Sequence, residues 1–135
     1  MEENKKIVAE NDVFRNDDIC YKKCKFVAVR IAKICMKLRT KKDKVILDNY
    51  ISQIIRSSSS ILSNYSEGTT SSISNRDKSF KFNISIKEAR ETVSWLSILY
   101  ELEEISKEDY DEIVAELTAI IRILVKSIQI MNNQK

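Results

Sequence analysis

The chain has 135 residues, of which 43% are apolar and 32% charged, with a net charge of +3, one glycine, no proline and no histidine. A single glycine cannot form a glycine-rich phosphate loop, and without histidine there is no Ser–His or Cys–His nucleophile pair and no usual zinc ligand. Few turn-forming residues also argue against a many-stranded sandwich or barrel. These counts favour a single all-α domain, and we expect no enzymatic activity and no cofactor.

The positive charge is concentrated in the first half of the chain. Residues 1–60 carry 14 Lys/Arg and 8 Asp/Glu, whereas residues 61–135 carry 9 Lys/Arg and 12 Asp/Glu. Such asymmetry indicates a polyanionic partner, although solvated helix faces also carry charge runs. The three cysteines argue against a disulfide framework, and neither a signal core nor a membrane-spanning run is present. We predict a reduced, cytoplasmic protein with no membrane partner and no small-molecule substrate.

The first predicted helix, residues 17–39, follows a polar tail at residues 1–16 and begins a helical domain that occupies residues 17–135. Its apolar residues recur at spacings of three and four, which is one helical stripe. The stripe consists of Cys20, Cys24, Val27, Ile31, Ile34, Cys35 and Leu38. At 100° per residue, an adjacent face carries Lys22, Lys23, Arg30, Lys33 and Lys37. Lys41, Lys42 and Lys44 continue the positive charge into the following turn.

The second predicted helix covers residues 42–67 and includes a run of four serines. Ser57–Ser60 lie within a continuous 3.6-residue apolar pattern, so we interpret them as small residues where two helices approach closely. Gly68 follows the last periodic residue, where a left-handed residue commonly ends a helix. Residues 69–75 form a Ser/Thr-rich loop, in which Ser74 or Asn75 can cap the next helix.

The third predicted helix, residues 76–104, has two apolar faces. One face contains Phe82, Ile86, Ala89, Val93, Leu96 and Tyr100, and the other contains Phe80, Ile84, Trp95, Ile98 and Leu102. A helix on the outside of a monomeric bundle needs only one such face, so the second predicts an oligomer interface. The alternative is a helix that is broadly buried in its own bundle. Glu91 also lies on the second face, and we predict that Arg56 pairs with Glu88 or Glu91 as a buried ion pair.

Ser106 is predicted to cap the fourth helix, with Asp109 at the capping-box position and the end near Met131. The short connection at residues 104–106 makes the third and fourth helices antiparallel neighbours. The four predicted helices, about 23–29 residues each, match in length and can form a bundle.

An ordered set of short motifs carries a family resemblance. Ser60, Ile61, Asn64, Glu67 and Gly68 spell S-I-x-x-N-x-x-E-G, and a second segment runs from Phe80 to Leu96. Together they resemble the bacterial four helix bundle protein family, over about residues 17–130. That family includes proteins encoded in intervening sequences of 23S rRNA genes and the accessory variability determinant proteins of diversity-generating retroelements.

The resemblance implies an antiparallel up-and-down four-helix bundle that assembles as a ring-shaped homopentamer. In the retroelement branch, the basic ring binds the reverse transcriptase and its template RNA. In the ribosomal-RNA branch, nucleic-acid binding is suspected.

These observations define the candidate sites. The nucleic-acid-binding set is Lys22, Lys23, Arg30, Lys33, Lys37, Arg39, Lys41, Lys42 and Lys44, each able to add salt-dependent affinity for phosphates. Only Tyr21 and Phe26 accompany it, so base stacking has little support. The predicted oligomer interface is Phe80, Ile84, Glu91, Trp95 and Ile98. We predict a non-enzymatic oligomer that binds RNA or DNA. The alternative is a protein-interaction scaffold whose basic face docks an acidic protein partner, or a basic face that is merely solvated.

Two further groups are interpreted as structural. Ser60, Asn64, Glu67 and Gly68 would end the second helix, with Asn64 and Glu67 bonding to loop backbone. Cys20, Cys24 and Cys35 are interpreted as small buried hydrophobes rather than metal ligands, because a metal would need further ligands.

Overall fold

The computed structural model describes residues 18–38 and 44–134, with only the backbone at Lys44. The helices in these ranges are α1 (Ile19–Leu38), α2 (Lys44–Thr70), α3 (Asn75–Glu101) and α4 (Lys107–Asn132). The predicted tail at residues 1–16 and the candidate phosphate contacts Arg39, Lys41 and Lys42 lie outside the described residues, as does the side chain of Lys44.

Each helix packs against two others, in the cyclic order α1, α2, α3, α4 and back to α1. Contacts between neighbours run in opposite directions along the chain: Thr92 meets Ser57 while Ser85 meets Ile61. The four helices therefore form the predicted all-α antiparallel bundle. Its core includes Ile31 of α1. None of the helices among the described residues has the length and hydrophobicity needed to span a bilayer.

Both predicted N-terminal caps are present. The hydroxyl of Ser74 accepts a hydrogen bond from the Asp77 backbone N–H at 3.2 Å, and the hydroxyl of Ser106 accepts one from Asp109 at 3.1 Å. A capping serine satisfies one of the amide groups that a helix leaves unpaired at its start. The polar spacing in the sequence therefore located the beginnings of α3 and α4 correctly.

The end of α3 differs from the prediction. The helix ends at Glu101, three residues before the predicted boundary, and Glu103 adopts the left-handed conformation with φ 62°. The Glu104 N–H then donates to the carbonyl of Leu99 at 2.9 Å, which closes the helix terminus. Glutamate rarely takes this conformation, so the residue type at this position does not predict the turn.

Gly68 does not end α2, and the prediction of a left-handed residue there was wrong. The helix continues to Thr70, and Gly68 has no positive φ. Instead, a Cβ atom on Gly68 would lie 2.9 Å from Cε1 of Phe82. The glycine therefore allows α3 to approach α2 closely. The Thr70 hydroxyl donates to the Ser66 carbonyl one turn earlier at 2.7 Å.

The serine run lies inside α2 as predicted, but only its first two residues are buried at the helix contact, since Ser59 is exposed and Ser60 half-buried. Ser57 and Ser58 are buried, and the Thr92 hydroxyl of α3 hydrogen-bonds that of Ser57 at 2.9 Å. The buried Ser85 hydroxyl donates to the Ile61 carbonyl at 3.0 Å. Because every one of these hydroxyls has a partner, the close α2–α3 contact leaves no polar group unsatisfied at these positions.

The three cysteines are free and buried along the inner side of α1. The pKa of the Cys24 thiol is raised, mainly by a hydrogen bond with Cys20 and to a smaller extent by burial. A thiol held in its neutral form is a poor nucleophile and metal ligand. The cysteines thus pack as small hydrophobes, and no cluster of three or more His, Cys, Asp or Glu suited to a metal occurs among the described residues.

Candidate nucleic-acid and subunit interfaces

The structure divides the basic residues of α1 into two groups, and the first group faces α4. Lys23 Nζ lies 2.9 Å from Glu116 Oε2, and Arg30 pairs with Asp109. Arg30 Nη2 is also 3.9 Å from Glu112 Oε2. These two cations therefore hold α1 against α4, and their charge is largely compensated within the chain.

The second group points away from the bundle. We call Lys22, Lys25, Lys33 and Lys37 the outer basic face of α1, and all four are exposed. Over residues 18–38 and 44–134, Lys22, Lys25 and Lys33 have no ion-pair partner. With a rise of about 1.5 Å per residue, Lys22 and Lys37 are roughly 22 Å apart along the helix axis. The face therefore presents exposed cations along one side of α1, where Lys22, Lys25 and Lys33 can meet a polyanion.

Apolar side chains lie between these lysines. Phe26 is 40% exposed, Val29 45% and Met36 71%, and all three lie on the same side of α1 as Lys22 and Lys33. Sequence reasoning placed Phe26 beside the basic residues but did not find it exposed between lysine pairs. The signal was available, because Phe26, Val29 and Met36 fall outside the cysteine-containing apolar stripe.

The residues of α4 that neutralise Lys23 and Arg30 were also missed. Asp109, Glu112 and Glu116 recur at spacings of three and four, so they share one side of α4. The seven-residue spacing of Lys23 and Arg30 on α1 matches this acidic row. Matched rows of opposite charge on two helices were the available signal for their pairing.

The predicted oligomer interface lies on the outer side of α3. We call Phe80, Ile84, Glu91, Trp95 and Ile98 the second face of α3. Phe80 is 64% exposed, while Ile84 and Ile98 are half-buried. Trp95 packs on Tyr50 of α2 with ring centroids 6.0 Å apart, and its Nε1–H donates to Glu91 at 3.4 Å. The chain itself thus covers this apolar face only in part.

Arg56 of α2 contacts both carboxylates that the sequence proposed for it. Its Nη1 lies 3.3 Å from Glu88 Oε2, and its Nη2 hydrogen-bonds Glu91 Oε1. The Arg56 side chain is 48% exposed, so the expected burial of this ion pair is not found within one chain. The hydrogen bond from Arg56 lowers the pKa of Glu91, whereas desolvation by burial raises the pKa of Glu88.

The motif residues make structural contacts, but not with a loop. The Asn64 amide donates to the carbonyl of Ser60 one turn earlier at 2.9 Å, and Lys81 Nζ lies 2.7 Å from Glu67 Oε2. The expectation that Asn64 and Glu67 bond to loop backbone was wrong because α2 continues through Gly68. Instead, Glu67 contacts Lys81 and Gly68 lies against Phe82, so both residues pack the end of α2 against the start of α3.

Four antiparallel helices, with a basic row on α1 and a partly covered apolar face on α3, define a small helical-bundle protein. The model of the family described as 23S rRNA-intervening sequence protein matches residues 16–126, and the chain belongs to this family. This finding confirms the resemblance drawn from the motifs. No curated protein matches the chain significantly.

A solved structure supports the same assignment. The chain is similar to a protein of unknown function from the S23 ribosomal protein family of Bacteroides thetaiotaomicron, with 33% identity and a TM-score of 0.73. The match covers 82% of this chain and 98% of that one. The fold is therefore shared over almost the whole length of the relative.

Proposed function

We propose that this protein is a non-enzymatic, RNA-binding homo-oligomer. The observation that carries the proposal is the outer basic face of α1, where Lys22, Lys25 and Lys33 remain without an ion-pair partner among the described residues. These three lysines span about 16 Å of helix, which suits a phosphate backbone, and each contact adds affinity by counterion release. The family's link to the 23S rRNA gene favours RNA as the nucleic acid.

Self-association is the second part of the proposal. The second face of α3 exposes apolar surface around Phe80 and half-buries Ile84 and Ile98, which a second copy would cover. The ring of five subunits is what the family resemblance implies. Several copies of the outer basic face on one assembly would raise the effective affinity for a long RNA.

Reverse transcriptase is a further possible partner, because the retroelement branch of the resemblance implies one. An acidic protein could also dock on the same lysines. The family match favours RNA over both. RNA is therefore the first ligand to test, and a protein ligand is considered if no nucleic acid binds.

The two groups of cations on α1 supply a matched experiment. Lys22→Gln/Lys33→Gln removes two charges from the outer basic face, and Lys23→Gln/Arg30→Gln removes two charges that are paired with α4. We expect binding of labelled RNA, measured by fluorescence anisotropy over a salt series, to weaken strongly only in the first variant. Its slope of log affinity against log salt should fall by roughly 1.4–1.8 for each engaged subunit.

The outcomes separate the candidate functions. Equal losses in both variants would show that net charge, rather than the outer basic face, governs binding. No binding of RNA or duplex DNA at low salt by a folded oligomer would overturn the proposal. The search would then turn to an acidic protein or a reverse transcriptase as the ligand.

A further inference from the structure

The outer basic face of α1 contains two pairs of lysines, and exposed apolar residues lie between the pairs. Lys22 and Lys25 lie towards its start, and Lys33 and Lys37 towards its end. About 12 Å of helix separates Lys25 from Lys33, and Phe26 and Val29 project from this interval. Phe26 is therefore flanked on both sides by cations and is open to solvent over 40% of its surface.

Phe26 and Val29 line one surface groove together with Lys22, Lys25 and Lys33, so the ring is part of a continuous surface rather than a single scattered apolar side chain. Exposing apolar surface is unfavourable, and a ring contributes most when it is covered by another flat group. Bases in a duplex are stacked on each other and cannot reach such a ring. Unpaired bases can, and single-strand-binding surfaces combine backbone-tracking cations with aromatic side chains.

We propose that the outer face of α1 binds an unpaired polynucleotide strand, with a base stacked on Phe26 and phosphates on the lysine pairs to either side. The inference rests on the proposed function and narrows its ligand from nucleic acid in general to single strands. Val29 and the stem of Lys33 continue the apolar surface beyond the ring, so a second base can lie beside the first.

The decisive variant is Phe26→Ala, with Phe26→Tyr retaining the ring. Ile130→Ala is the matched control, because Ile130 is an exposed apolar residue at the other end of the chain, on α4. The probes are a labelled 12-nucleotide RNA without self-complementarity, the DNA of the same sequence, and the duplex of each. Helicity by circular dichroism and assembly mass are recorded for every variant.

We expect single strands to bind more tightly than duplexes of the same length. Phe26→Ala should weaken single-strand binding by about 5- to 150-fold, the range for loss of one stacked base. Its salt slope should stay unchanged because no phosphate contact is lost. Phe26→Tyr should restore the affinity, and Ile130→Ala should leave it unaltered.

Two results would overturn the inference in distinguishable ways. Duplex binding as tight as single-strand binding, together with a Phe26→Ala variant that binds normally, would refute stacking while the lysine variants still support nucleic-acid binding. No binding of any probe would refute the proposed function itself. Comparison of the RNA and DNA strands shows whether the sugar contributes to recognition.

Discussion

Gly68 illustrates how a single missing methyl group can set the distance between two helices. A Cβ atom at this position would lie 2.9 Å from Cε1 and 3.0 Å from Cδ1 of Phe82, and 3.2 Å from Cβ of Lys81. The Phe82 ring cannot easily yield because it is buried and stacked on Tyr65, with centroids 5.4 Å apart. Alanine has the highest helix propensity, but the neighbouring helix leaves no room for its methyl group at this position.

We expect Gly68→Ala to lower the free energy of unfolding. Crowding of a packed core costs roughly 1–3 kcal/mol, which exceeds the gain of about 0.5–1 kcal/mol in helix propensity. Urea denaturation measures the difference, and Phe82→Leu in the same background should recover part of the loss by making room. A Gly68→Ala variant more stable than the parent would show that α2 and α3 are not in close contact there.

The two carboxylates beside Arg56 should respond to pH in opposite ways. Arg56 lowers the pKa of Glu91 in the folded protein. The ionised Glu91 therefore stabilises the fold at pH values above its unfolded pKa. This stabilisation is lost as the pH falls through the folded pKa of Glu91. Burial raises the pKa of Glu88 in the folded protein, so the ionised side chain destabilises the fold at neutral pH. This destabilisation disappears as the pH falls through the folded pKa of Glu88 towards its unfolded pKa.

The prediction uses one neutral substitution at each position. Glu91→Gln should destabilise the protein at pH 7, and the difference from the parent should shrink as the pH falls into the acidic range. Glu88→Gln should cost less at pH 7, because a neutral side chain there avoids the desolvation of a charge. Thermal unfolding of both variants between pH 7 and pH 3 checks this. Parallel pH profiles for the two would contradict the assignment.

At the level of elements, the α2–α3 contact depends on buried hydroxyl groups as well as on apolar packing. Thr92 hydrogen-bonds the Ser57 hydroxyl at 2.9 Å and the Glu88 carbonyl at 2.8 Å, and its side chain is buried. The Ser57 hydroxyl also lies 3.3 Å from the Ile54 carbonyl, so each of the two hydroxyl protons has an acceptor. The network joins the two helices at a point where neither has a large side chain.

Replacing Thr92 by valine keeps the shape and removes the hydroxyl. We expect Thr92→Val to cost about 1 kcal/mol of unfolding free energy, the usual net value of a protein hydrogen bond. Thr118→Val on α4 is the control, because the Thr118 hydroxyl bonds one turn back at 2.8 Å on an exposed face. A double-mutant cycle with Ser57→Ala should show coupling, and additive effects would refute an energetic link between the two hydroxyls.

Much of the fold was predictable because its signals are local. The Ser74 and Ser106 caps and the helical state of the serine run are each decided by a few neighbouring residues, and these were correctly predicted. The turn after α3 was not, because Glu103 adopts a left-handed conformation that its residue type disfavours. Gly68 was misread because the contact that requires a glycine comes from Phe82, in a different helix.

The candidate site was only partly predictable, for the same reason. Helical periodicity placed Lys22, Lys23 and Arg30 on one face, since it gives the direction of a side chain from its own helix. Whether a cation is then neutralised depends on the facing helix, and Glu116 and Asp109 of α4 compensate Lys23 and Arg30. The spacing within α1 alone does not reveal this pairing, which requires comparison with the matching acidic row of α4.

At the scale of the whole molecule, the second face of α3 predicts how the protein associates. We expect Ile84→Asp to dissociate the proposed oligomer, because a carboxylate would be buried without a partner in the apolar contact. Light scattering should then give a mass near 15.7 kDa, with helicity retained. Ile73→Asp is the control, as Ile73 lies in the exposed connection between α2 and α3. Unchanged mass for Ile84→Asp would place the interface elsewhere.

The ion pairs between α1 and α4 have a consequence for the order in which the chain folds. Lys23 and Glu116 are 93 residues apart, whereas Ser85 and Ile61, which join α3 to α2, are separated by 24. Closing a longer loop costs more entropy, and local contacts form faster, so the α2–α3 hairpin should assemble early. During synthesis α1 leaves the ribosome before α2 and α3, and its acidic partners on α4 emerge only after both of them. Of these four helices, the earliest to be made is therefore held on only one side until the latest has emerged.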